Sequence, residues 1–313
     1  MKPKIIFIAL LAVLLLVGSA EAGPYSGAMN DPGKTDSPIP GWVGPLGDGV
    51  APTREGDFNN YINPVFKGWA TGYRDYLPSD TINSPFNDPT RALGPAHYPT
   101  NNNVVSLGDL TQDQINAGKS PGEITLTFDH AIKNGSGADF AVFENSFISQ
   151  WGTGAGYTFA ELAYVDVSTD GINFVRFDSH SLVTDPFPLG QPYGCIDSTD
   201  VYNLAGKHVN NYGQSWGTPF DLDTLLNNDL VLQGVVDLNE INYVKIVDIP
   251  GSGDFLDSYG NGIKDAWPTG GTGGFDLDAI GVIHTAAVPI PGAVWLLGSG
   301  LVVLLGNRRK KGI

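Results

Sequence analysis

The sequence predicts a mainly β protein: an antiparallel two-layer β-sandwich with long decorating loops, plus one C-terminal transmembrane helix. Three observations carry that prediction. Short runs of alternating polar and apolar residues recur between residues 123 and 283. No regular amphipathic helix is interleaved among them, and an uncharged apolar run precedes a terminal basic cluster. A parallel α/β arrangement would need repeated amphipathic helices, and residues 221–228 offer only one short candidate. The absence of a fixed-period repeat argues against a solenoid or propeller.

Taken in order, Lys2 and Lys4 precede an apolar run over residues 5–17, which closes on Ala20-Glu21-Ala22. Basic region, apolar stretch and small-residue ending make a secretory signal peptide over residues 1–22, cleaved after Ala22. Residues 23–57, rich in Gly and Pro without a sustained period, read as a flexible arm. Aromatic residues then thicken at Phe58, Tyr61, Phe66, Trp69, Tyr73 and Tyr76. Irregular chain packed against a sheet is one reading of them, and a ligand-facing surface is the other. Residues 111–117 form a short helix or turn.

Strands are expected at residues 123–128, 139–144, 162–168, 173–177, 230–236, 243–249 and 277–283. In the first, Ile124, Leu126 and Phe128 share one face. Thr169-Asp170-Gly171 connects the third to the fourth as a hairpin. Residues 178–220 read as loops. The surface domain therefore spans residues 58–285. A tail over 286–313 follows, with its membrane helix at 293–306, near the lower length limit for crossing a bilayer. The basic cluster Arg308, Arg309, Lys310 and Lys311 should stay cytoplasmic and leave the body outside.

The 313 residues carry 33 Asp plus Glu against 17 Lys plus Arg, a formal −16. Loss of both ends leaves 32 acidic against 11 basic residues. A field of that sign repels nucleic acid and attracts divalent cations. The 15 Phe, 12 Tyr and 6 Trp argue against a disordered body. Cys195 is the only cysteine, so no disulfide can form within the chain, and stability must come from core burial, bound ions or both.

The densest candidate for chemistry is the Gly- and Asp-rich stretch from 248 to 265, followed closely by Asp276 and Asp278. Ca²⁺ takes six to eight hard oxygen ligands, and glycine turns let short carboxylates converge. Asp257, Asn261 and Asp265 sit at positions 1, 5 and 9 of an EF-type loop, but Tyr259 and Pro268 occupy positions that need oxygen donors. A true EF-hand is therefore rejected. A noncanonical Ca²⁺ site built from Asp254, Asp257, Asn261, Asp265, Asp276 and Asp278 remains, with a solvated acidic turn as the alternative. Asp276 and Asp278 point to the same side of a regular strand, where paired charges need a cation, donors or water. Asp139, Glu144 and Glu161 are weaker additional ligands.

Catalytic signatures are lacking. The five histidines are widely spaced and form no His-Glu-x-x-His motif. No nucleophile elbow or phosphate-cradling loop appears, and Gly270-Gly271-Thr272-Gly273-Gly274 reads as flexible connection. Glu144 and Glu161 could serve as a glycosidase pair, but acids are too common here for the choice to discriminate.

Pro289-Ile290-Pro291, the apolar run from Ala293 to Gly306 and the basic end together resemble the PEP-CTERM sorting signal of Gram-negative bacteria. The motif here has Ile290 where the middle Glu of the name would stand. The resemblance covers under a tenth of the chain. It implies an exosortase as processing partner, an inner-membrane-anchored precursor, and a final place at the cell surface or in the extracellular matrix, often alongside exopolysaccharide. Gly137-Ala138-Asp139-Phe140-Ala141-Val142-Phe143-Glu144-Asn145 and Phe275-Asp276-Leu277-Asp278-Ala279-Ile280 resemble segments of bacterial cell-surface proteins that carry such tails. The body is also similar to galactose-binding-like jelly rolls, whose end loops hold ligand and Ca²⁺.

Three functional classes follow. One is a Ca²⁺-stabilised module binding glycan or exopolysaccharide, with Tyr193, Tyr212 and Trp216 as aromatic platforms. Another is a structural envelope or matrix protein without sugar recognition, and the third is a carbohydrate-active hydrolase.

Overall fold

The computed structural model describes residues 23–26, 35–44, 60–97, 103–150, 152–184, 194–270 and 272–286. Ala22, Tyr193, Pro289, Pro291 and the expected membrane helix at 293–306 lie outside the described residues. Among the described residues, no helix is long and apolar enough to cross a membrane.

The protein is mainly β, with 33% strand, 10% helix and antiparallel sheets that include a curled half-barrel. Eight strands position the site: β1 (Gly72–Leu77), β2 (Glu123–Ile132), β3 (Phe140–Glu144), β4 (Ala163–Ser168), β5 (Val175–Arg176), β6 (Trp216–Phe220), β7 (Ile241–Asp248) and β8 (Asp276–Val282). One sheet runs β5-β4-β7-β2-β1, and the other runs from Ile39–Pro40 through β6, β3 and β8 to Gly68–Trp69. Val105–Ser106 pairs with the start of β8.

Alternation along the strands sets the core. Ile124 and Leu126 of β2, Val165 and Val167 of β4, and Val244 and Ile246 of β7 meet Phe140 and Val142 of β3 and Leu277, Ile280 and Val282 of β8 in one apolar cluster. Burying each such side chain contributes about 1.5–3 kcal/mol. Phe140 and Phe220 stack at 5.3 Å, and Phe177 meets Phe220 edge-on at 5.0 Å.

β3 is buried on both faces. Its outward residues Ala141 and Phe143 are covered by Phe66 and Trp69, whose rings lie 4.7 Å apart. The aromatic stretch thus includes irregular chain packed on a sheet, although Tyr61 and Tyr73 are exposed. Close approach here requires glycine: a Cβ on Gly217 would stand 2.7 Å from the Phe143 ring, and one on Gly281 would stand 2.6 Å from Phe66.

Four expectations change. Parts of the supposedly flexible arm are docked. Ile39–Pro40 pairs with β6, Gly41 donates its N–H to the Ser215 carbonyl, and buried Asp36 is ion-paired with buried Lys207. The expected strand at 230–236 begins instead as a helical turn, Asp229–Leu232, because the Asn228 side chain accepts the Leu230 N–H as an N-cap. The supposed loops of 178–220 contain β6, hidden from sequence reading by Gly217 and Pro219. Finally, β8 is not regular, since its register against β3 shifts between Leu277 and Ala279 and leaves Asp278 as an extra residue. The expected short helix is present as Gln112–Asn116, with a Thr111/Gln114 capping box.

Candidate functional site

Six carboxylates converge at one end of the two sheets. Asp109 follows the Val105–Ser106 strand, Glu144 closes β3, Asp248 closes β7, Asp276 opens β8, and Glu161 and Asp265 are tied to the entry of β4. Pairing explains the convergence: Leu277 faces Glu144 across one sheet, and Ala163 faces Asp248 across the other. The loop between Asp248 and β8 then folds back over this end.

Each carboxylate is held by a backbone or side-chain donor. Thr269 N–H donates to Asp109 Oδ2 at 2.7 Å, and Ser146 N–H to Glu144 Oε2 at 2.8 Å. Gly274 N–H donates to Glu161 Oε1 at 2.8 Å, and Phe275 N–H to Asp248 Oδ1 at 2.7 Å. Leu162 N–H donates to Asp265 Oδ2 at 2.6 Å, and Asn145 Nδ2 to Asp276 Oδ2 at 3.0 Å. Gly274 is not a flexible connection: at φ 74° it brings its N–H to Glu161, and a Cβ there would stand 2.9 Å from Asp248 Oδ1.

All six are buried. Asp109 Oδ1, Glu144 Oε1, Asp248 Oδ2 and Asp276 Oδ1 are buried with no hydrogen-bond partner. Unpaired buried oxygens of this kind are costly and rare. Burial is the first cause that pushes these acids up, taking Asp109 to about 6 and Asp276 to about 7. Glu144, Glu161, Asp248 and Asp265 rise well above the usual carboxylate range, first from burial and then from one another's charge: Asp276 acts on Glu144 and Glu161, and Asp109 acts on Asp248. Arg74, Arg176, Lys207 and Lys245 make their ion pairs elsewhere, with Asp75, Asp166, Asp36 and Glu123.

Of the six residues read as a metal set, only Asp265 and Asp276 belong to this cluster. Asp254 is exposed and accepts from Gln112 and Ser252. Asp257 organises its own turn, accepting from the N–H groups of Ser181, Tyr259 and Asn261 and from the Asn261 side chain. Asp278, displaced by the bulge, accepts from His97 N–H and from Asn210 Nδ2 at 3.0 Å, and it pairs with His97 Nδ1 at 2.9 Å. Asp139, a weaker candidate, is paired with His284. Glu144 and Glu161 do join the cluster. Asp109 carries no sequence signal, and Asp248, which opens the acidic stretch and stands near the end of an expected strand, is not in the expected metal set.

The six have hard-oxygen donor chemistry, but they are not drawn to a common centre. Among the described residues, no group of three or more His, Cys, Asp or Glu is arranged to hold a metal ion as placed. Two cavities of about 500 and 530 Å³ lie elsewhere, and none of the six carboxylates lines either one. Cys195 is buried, and burial pushes its thiol up, away from nucleophilic chemistry. Trp216 is buried in β6, its indole N–H donating to Gln214, and offers no open ring face. Tyr212 is exposed, held at φ 51° and set edge-on to Phe147 at 5.2 Å.

The sequence matches no protein-family model and no curated protein.

Proposed function

We propose that this chain is an exported cell-surface or matrix module, a jelly-roll-like β-sandwich stabilised by Ca²⁺ at the buried carboxylate end and binding glycan or exopolysaccharide. The four unpartnered buried carboxylate oxygens carry the cation part of this reading. They belong to a chain that cannot staple itself with a disulfide and whose net charge favours divalent cations. Asp109, Glu144, Asp248 and Asp276 would supply those oxygens to the ion, and Glu161 and Asp265 would complete the hard-oxygen set. An ion there would tie the loop after Asp248 to both sheets. Side-chain rotation must first draw the carboxylates together.

Export rests on the signal peptide ending at Ala22 and on the tail with Pro289 and Pro291, which would be handed to an exosortase at the inner membrane. Glycan contact rests on Tyr212, whose exposed ring and left-handed backbone fit a platform presented from a loop. Trp216, enclosed in β6, has no part in it. The hydrolase reading is disfavoured because Glu144 and Glu161 are buried and line neither cavity.

Metal analysis of the exported chain, with thermal melts in Ca²⁺ or chelator, tests the cation. Retention of the protein on isolated exopolysaccharide, compared with Tyr212→Ala, tests recognition. Ca²⁺-dependent self-association without sugar retention would support the structural matrix role instead.

A further inference from the structure

Gly23, the residue that cleavage after Ala22 would expose, is seated in the folded domain. Its N–H donates to Thr199 Oγ1 at 2.6 Å. A Cβ on residue 23 would stand 2.3 Å from Asp200 Oδ1 and 2.3 Å from the Thr199 carbonyl, so only glycine fits. The following residues hold it there. Tyr25 N–H donates to the Thr199 carbonyl, the Tyr25 ring stacks on Tyr202 at 5.1 Å, and Ser26 N–H donates to Asp36 Oδ1 at 2.6 Å.

The seat is short of positive charge. Thr199 Oγ1 donates to Asp197 Oδ1 at 2.6 Å and so presents its lone pairs to Gly23. Asp36, Asp197 and Asp200 all act on one buried base, Lys207. Asp200 is pushed up by burial and by the Asp197 charge, with Lys207 only partly offsetting them. A second cation at Gly23 would offset part of the excess negative charge that Lys207 leaves.

We propose that Thr199, Asp200 and Asp197 form a receptor for a primary ammonium, and that its ligand is the α-amino group of Gly23 released when the leader is removed. This rests on the export reading above. A signal peptidase hydrolyses the Ala22–Gly23 bond with one water. Ala22 keeps a carboxylate, and Gly23 keeps an amine that takes a proton from solvent below its ordinary pKa of about 8. The resulting ammonium replaces one N–H donor with three. It remains on Thr199 Oγ1 and gains the Asp200 carboxylate as counter-ion. Docking of the new terminus also fixes Ser26, which lines the cavity of about 500 Å³ together with Asp197, Thr199 and Lys207.

The test uses the full chain expressed with its own leader in a Gram-negative host and purified after export. N-terminal sequencing should begin at Gly23. An amine-acylating reagent should modify that α-amine about tenfold more slowly than the same amine in the unfolded chain, as a rise of one pKa unit implies. Asp200→Asn, which keeps the shape, should restore a reaction rate within about twofold of the unfolded value while leaving the near-UV spectrum native. A chain beginning elsewhere than Gly23 would overturn both the export reading and the receptor. A chain beginning at Gly23 with a freely reactive α-amine, unchanged by Asp200→Asn, would overturn the receptor alone.

Discussion

Asp248 Oδ1 accepts the backbone N–H of Phe275 at 2.7 Å, while its Oδ2, equally buried, has no partner. This bond joins the end of β7 in one sheet to the approach of β8 in the other. Asp109 and Asp276 both act on Asp248 and, after burial, push its carboxyl further up. The same half-satisfied state recurs at Asp109, Glu144 and Asp276.

Stability should therefore depend on pH and cation in opposite senses. Asp109 and Asp276 hold their protons up to about 6 and about 7 in the fold, against an ordinary 3.8. The native state binds more protons than the unfolded chain across that window, so the cation-free protein loses stability as pH rises through it. Ca²⁺ needs the ionised carboxylates, so its stabilising effect should grow over the same window. Melts at pH 5 and pH 8, each with Ca²⁺ and with chelator, should show a large Ca²⁺ shift only at pH 8.

Glu144→Gln keeps the shape and an acceptor for Ser146 N–H while removing an ionisable group whose charged form burial penalises. In chelator at pH 8 it should raise Tm by several degrees, since about 1 kcal/mol corresponds to roughly 2–4 °C for a domain of this size. In Ca²⁺ it should lower Tm relative to wild type. Calorimetry of both proteins under both conditions checks the inversion.

The fold was legible where alternation was clean. Ile124 and Leu126 fall in the core as their spacing predicts, and β4, β7 and β8 begin or end within two residues of the expected bounds. β6 was illegible because Gly217 is demanded by the Phe143 ring, a contact that no local pattern records. The carboxylate end was half legible. Acid spacing drew attention to Asp265 and Asp276, and Glu144 and Glu161 entered as weaker ligands, but their meeting with Asp109 and Asp248 depends on strand pairing and loop return that no local spacing records. The bulge at Asp278 breaks the period-two rule that had joined it to Asp276.

Trp216 and Tyr212 should separate packing from recognition. Trp216→Ala empties a buried site in β6 and should cost about 3–5 kcal/mol in chemical denaturation. Tyr212→Ala removes an exposed ring and should leave the midpoint nearly unchanged, while exopolysaccharide retention falls at least about tenfold.

Docking of the N-terminal arm is testable through Asp36. Asp36→Asn removes the ion-pair partner of buried Lys207, with only Asp197 and Asp200 still acting on it, and should destabilise the fold by about 3–5 kcal/mol. Adding Lys207→Met should recover part of that loss, and denaturant unfolding of the single and double variants measures the coupling.

The most direct measurement is calorimetric titration of Ca²⁺ into the exported, chelator-stripped chain at pH 7.5, alongside Glu144→Gln and Asp276→Asn. The expected result is saturable binding by wild type, weakened at least about tenfold in each variant, with Mg²⁺ a poor substitute. Wild type that takes up no Ca²⁺, or binding left unchanged by both substitutions, would contradict a cation site among these carboxylates.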